Sequence, residues 1–179
     1  MNLIIMPGCQ GVNSIWEKDI LRGYNKKFEK IVLFSFNTCG GDYCEEVDLE
    51  KELERFKKLI NNLDSDYVIF ARKISCLLVL KAFYELGIKP RKCVFLGMPV
   101  SWALINNFPI NNWLENYNIP TIFVQRKLDP LFYFNDLKNY LNHRNVKDYI
   151  IADIDYLDSE YDKIDVYNRI AMNFLSDFS

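Results

Sequence analysis

Histidine is nearly missing from this chain: His143 is the only one among 179 residues. It stands in the polar run Asn142-His-Arg-Asn145 and reads as a solvated loop residue. The five cysteines, at positions 9, 39, 44, 76 and 93, are odd in number and show no CxxC spacing. Together these shortages leave too few ligands for a zinc site, and no metal or cofactor is expected. Cys76 and Cys93 fall inside apolar runs, where a cysteine usually serves as a small buried hydrophobe. An excess of either charge is also lacking: 22 Lys and Arg stand against 24 Asp and Glu, a net charge of −2. That balance gives no hint of a nucleic-acid partner or an anionic membrane surface. There is no basic segment ahead of the short N-terminal apolar run, no stretch long enough to span a bilayer, no internal repeat and no linker. One domain over residues 1–179 and a cytoplasmic address are the simplest expectations, with a small molecule as partner or none.

Apolar material is plentiful. Half the residues are hydrophobic and 15% are aromatic, enough for a full core at this length. Short apolar runs at Leu3–Met6, Ile31–Phe36, Tyr67–Phe70, Lys92–Leu96, Thr121–Gln125 and Tyr149–Ala152 have the length and composition of buried strands. Between them lie helical patterns. Ser14-Ile-Trp-Glu17 is a capping-box signature ahead of Ile20 and Leu21, and Ser159 to Asp162 offers a cap for a last helix. Asp48 can cap a helix whose Leu49, Leu53, Phe56, Ile60 and Leu63 recur at steps of four and three. Leu131, Phe134, Leu137 and Leu141 give another helical face. The segment from Ser101 to Asn118, rich in asparagine and aromatics, has no clean period: a short helix with loops, or a partial cover over the sheet. The alternation predicts an α/β three-layer sandwich, about six mostly parallel strands with helices on both faces and no large cap domain.

The rest is arranged around Asp66 to Ala82. The strand-like Tyr67–Phe70 runs into a buried helical pattern, Ile74 to Ala82, with only Ala71, Arg72 and Lys73 for the turn. A strand turning that sharply presents its apex residue, here Lys73, at the head of a parallel sheet. The first amides of the helix then point outward as unpaired donors.

With the elements placed, the chain resembles a small α/β-hydrolase over nearly its whole length. LIIMPG followed by NSIW is similar to that family's first strand and oxyanion loop, which the resemblance places at Gly8 and Cys9. Ala71-Arg-Lys-Ile-Ser75 falls on the nucleophile elbow, G-x-S-x-G. Gln125 to Pro130 falls on the segment that supplies the acid, Asp129, and Ile151 to Tyr156 falls where the family carries its histidine. The departures are chemical. Lys73 replaces the serine, Asp155 or a neighbour replaces the histidine, and both elbow glycines give way to Ala71 and Ser75. A serine nucleophile needs a base to take its proton, and His143 precedes the last strand rather than following it.

The resemblance thus implies a degenerate triad of Lys73, Asp129 and Asp155. Three readings of it stay open. Two aspartates flanking one lysine would hold a dead site shut by ion pairs. An anion site would use Arg72, Lys73 and the helix amides at Ile74 and Ser75, beside Gly8 and Cys9. A hydrolase working through Ser75, Ser14 or Cys9, or amine chemistry at Lys73, would make the protein an enzyme by a non-standard route.

Overall fold

The computed structural model describes residues 1–8, 20–21, 24, 27–37, 47–144, 146, 149–154 and 164–176, with backbone only at 150–154, 164–166 and 176. Six strands form one fully parallel sheet: β1 (Asn2–Met6), β2 (Lys30–Leu33), β3 (Tyr67–Arg72), β4 (Cys93–Leu96), β5 (Thr121–Arg126) and β6 (Tyr149–Ile154), in the order β2-β1-β3-β4-β5-β6. Successive side chains along a strand point to opposite faces, and here both faces are apolar. Ile4, Met6, Ile69, Ala71, Cys93, Phe95 and Phe123 belong to one core. Leu3, Ile5, Val68, Phe70, Val94, Leu96, Ile122 and Val124 belong to the other. A sheet that is apolar on both sides must be covered on both sides.

The first core is covered by α1 (Leu49–Asn61), α2 (Ile74–Leu86), α3 (Val100–Ile105), α4 (Ile110–Leu114) and α5 (Phe134–His143). The second lies under the helical residues Ile20 and Tyr24, Phe28, and α6 (Ile164–Ser176) through Tyr167, Ala171 and Leu175. The expected cap on α1 forms, with Asp48 Oδ1 accepting the Lys51 N–H at 3.0 Å. Every residue of α2 from Ile74 to Ala82 is buried, including Lys81. Its ammonium escapes to the rim, where it meets Glu50 at 2.7 Å and Glu85 at 2.5 Å. The Asn-rich segment resolves into α3 and α4, part of the cover over the first core.

Several expected boundaries move. β2 ends at Leu33 rather than Phe36, because side chains of α1 take the next backbone groups. The Glu52 carboxylate accepts the Asn37 N–H at 2.8 Å, and the Arg55 guanidinium donates to the Ser35 carbonyl at 3.1 Å. Leu131 precedes α5 instead of joining its face. His143 is the last residue of α5 rather than a loop residue, exposed, with Nδ1–H donating to the Asn139 carbonyl at 2.6 Å.

Cys76 and Cys93 are free thiols with no solvent exposure, as expected. Burial pushes the Cys93 thiol up to about 12 and the Cys76 thiol higher still, since a thiolate there would be stripped of water. In native protein neither should react with a thiol reagent at pH 8, and both should react in denaturant, which mass-mapped alkylation will read. The folded state keeps these protons while the unfolded chain releases them near pH 9. Their contribution to stability is therefore complete below pH 9 and declines as pH rises above it.

Candidate functional site

The strand-to-helix turn is tighter than the sequence suggests. β3 continues through Ala71 and Arg72, so one residue, Lys73, makes the whole turn. Lys73 has φ 50° and ψ −121°, a backbone conformation that residues with a Cβ rarely adopt. The backbone pins it on both sides. Its N–H donates to the Leu96 carbonyl at 2.8 Å, and its carbonyl accepts the Cys76 N–H at 2.9 Å. Such strain costs about 1–3 kcal/mol in a residue other than glycine. Lys73→Gly should accordingly stabilise the fold by about 0.5–2 kcal/mol after glycine's greater freedom in the unfolded chain is offset. Lys73→Val should destabilise it, and the two urea midpoints should bracket the parent.

No side chain among the described residues caps α2, and the Ile74 and Ser75 amides have no acceptor within the helix. The residues expected beside Lys73 divide. Gly8 lies against the elbow: a Cβ built on it would sit 3.5 Å from Lys73 Cβ and 3.6 Å from the Arg72 carbonyl oxygen, ordinary contact distances. Ser75 is buried, and its hydroxyl donates to the Pro7 carbonyl at 2.9 Å, tying the end of β1 to the elbow. Ile74 is buried as well. Arg72 is not the flexible, solvated neighbour that its position beside Lys73 suggests. It has no exposure and alternates with Val68 and Phe70, so its side chain lies on the second-core face, while Lys73 is partly exposed. Cys9 and Asp155 lie outside the described residues, as does Ser14.

Asp129 arrives at the same edge from the loop after β5 and is buried. Its Oδ1 accepts the Leu131 N–H at 2.8 Å, and its Oδ2 lies 3.8 Å from Nε of Arg126, itself buried at the end of β5. Beside it, Gln125 joins two loops: its Oε1 accepts the Met98 N–H and its Nε2 donates to the Phe132 carbonyl, both at 2.8 Å. The carboxyl ends of β3, β4 and β5 thus carry a strained lysine, the first amides of α2 and a buried aspartate along one edge of the sheet, with β6 ending beside Arg126 in register.

Solved structures share the fold over nearly the whole chain. A hydrolase from Oleispira antarctica superposes with a TM-score of 0.74 over 98% of this chain and 90% of its own, at 12% identity. The mouse alpha/beta hydrolase domain-containing protein 10 gives 0.75 over 99% and 90%, at 9% identity. The ferulic-acid-bound Est1E of Butyrivibrio proteoclasticus gives 0.72 over 98% and 90%, at 12% identity. This is the α/β-hydrolase fold. No protein-family model and no curated protein matches the sequence.

On this fold the tight turn at Lys73 is made without a glycine, between Ala71 and Ser75. Sequence reasoning missed Arg126 and Gln125 at the site's edge, since polar residues ending a strand ordinarily face water. It also missed Glu52, whose i, i+3 spacing to Arg55 was the available signal: the two form an ion pair with the glutamate fully buried.

Proposed function

We propose that this α/β-hydrolase-fold protein is a pseudoenzyme without serine-hydrolase activity, and that its elbow binds a small anion such as a carboxylate or phosphate group. The observation that carries this is Lys73 itself. A lysine held at the apex, in a backbone state that disfavours it, stands ahead of uncapped amides at the start of a 13-residue helix. Helix amides and an ammonium both favour negative charge, whereas a nucleophilic serine and a neighbouring base are what ester hydrolysis needs. The alternative in Ser75 is disfavoured by its buried hydroxyl, which already donates to Pro7.

Titration of the purified protein with inorganic phosphate and with acetate, followed by backbone amide shifts, tests the reading. The Ile74 and Ser75 amides should shift on binding, and affinity should weaken with salt. Lys73→Met should lower affinity by tenfold or more in order of magnitude, and Lys73→Arg should retain part of it. A fluorophosphonate probe should leave the protein unlabelled, and borohydride with aldehydes should trap no adduct. Binding unchanged in Lys73→Met would overturn the anion site. Stoichiometric probe labelling would overturn the pseudoenzyme reading, and an adduct confined to Lys73 would make the residue an amine catalyst.

A further inference from the structure

Six large hydrophobic side chains are exposed among the described residues, and four of them stand on the two segments that follow β4 and β5: Leu104 and Ile105 on α3, Leu128 and Tyr133 on the loop ahead of α5. The two segments are joined. The Ser101 N–H donates to the Leu131 carbonyl at 3.2 Å, and Gln125 bonds to both Met98 and Phe132. Ser101, Leu104 and Ile105 are spaced i, i+3 and i+4, which puts the two exposed side chains on the helix face that carries Ser101. Partly exposed Trp102 stacks on Phe108 beside them, ring centroids 5.4 Å apart.

Charge is absent here to a degree unmatched elsewhere in the chain. No Asp, Glu, Lys or Arg occurs between Lys92 and Glu115, in a protein where 26% of residues are charged. The facing loop adds Asp129, which is buried by Arg126, and the exposed Lys127. The outward charge of the patch is therefore positive and small. The chain-wide net charge averages over faces and hides this.

Ile105 is 78% exposed and Leu128 is 70% exposed. Side chains that project so far do not line a cleft, so a small ligand would leave most of their surface wet. A second protein copy would have to bury on the order of 800 Å² per partner for a stable interface, and four side chains fall short of that. A lipid surface has no such threshold, because each projecting side chain inserts separately, with aromatic rings and lysine favoured at headgroup level.

We infer that α3 and the loop from Lys127 to Tyr133 form a lipid-docking patch, with Leu104, Ile105, Leu128 and Tyr133 entering the interface of a phospholipid membrane and Lys127 meeting its phosphates. This does not depend on the anion site. It would set the sheet edge that carries Lys73 toward the membrane side of the molecule.

Flotation of the full chain with phosphatidylcholine vesicles, and with vesicles that include about a quarter phosphatidylglycerol, tests the inference. The parent should float with both and more with the anionic set. Ile105→Ser/Leu128→Ser should lower partitioning by at least about tenfold, and Ile105→Trp should raise it. Tyr84→Ser, an exposed aromatic on α2 outside the patch, should float like the parent. Equal thermal melting of these surface variants would show that all are folded. Absence of parent protein from both floated fractions, or equal flotation of the double variant, would overturn the inference. So would a concentration-dependent dimer, lost in the double variant, without vesicle binding, since the patch would then belong to a second copy.

Discussion

Phe95→Ala should destabilise the protein by about 3–5 kcal/mol, the range for removing a buried aromatic ring from a packed core. Phe95 has no exposure and sits in the middle of the sheet on β4. Its ring packs 5.3 Å from Phe123 and 6.1 Å from Tyr117, and Tyr117 in turn meets Phe83 of α2 at 5.0 Å. The Tyr117 hydroxyl is already committed to Thr121, whose own hydroxyl donates to the Ile119 carbonyl. The surroundings are thus anchored and cannot collapse far into the cavity, which favours the upper part of the range. For a chain of this size the melting temperature should fall by about 6–20 °C. Tyr84→Ala, an exposed aromatic, should stay within about 0.5 kcal/mol of the parent. A Phe95→Ala loss below about 1.5 kcal/mol in urea titration would mean that this cluster does not hold the sheet to α2.

Gln125→Leu is expected to cost about 2–4 kcal/mol although it keeps the volume and adds apolar surface. The amide is fully buried and serves two loops, so leucine strands the Met98 N–H and the Phe132 carbonyl at once. Each stranded group in a dry site costs about 1–3 kcal/mol. The loss should be local as well as global: native-state hydrogen exchange at Met98 should speed up more than at Val94 in the middle of β4. Uniform acceleration, or a neutral substitution, would show that water replaces the amide's bonds.

Much of the architecture was legible because the sheet is apolar on both faces. Runs such as Leu3–Met6 and Thr121–Gln125 need no alternation to read as strands, and β5 exceeds its expected end by one residue. Asp48 announced its helix correctly because a cap is a local device. What escaped was decided by groups far apart in sequence. Phe34 to Phe36 reads as strand, yet Glu52 and Arg55 take its backbone neighbours. Arg72 reads as solvated because nothing beside it in sequence shows that the strand continues under cover. The elbow apex could be read from the lengths of the flanking runs. The partners of Asp129 escaped for a different reason: Arg126 and the Leu131 amide lie only three and two residues away, but nothing in the sequence shows that the loop turns them toward the carboxylate.

The strand order carries a consequence for how the chain is made. β1 lies between β2 and β3 and pairs with β3 from Asn2↔Tyr67 onward. During synthesis the Leu3–Met6 run therefore emerges early but cannot be enclosed until β3 follows. At about 5–20 residues per second, that separation is a wait of roughly 3–13 s. For that interval the nascent chain carries an uncovered β-prone apolar segment, which any ribosome-associated holding factor would find before the sheet does. After β3, the order changes character: β4, β5 and β6 add one after another to the same side, each able to dock as soon as its crossover is complete. The vulnerable period in the biogenesis of this fold is thus concentrated between the synthesis of β1 and that of β3.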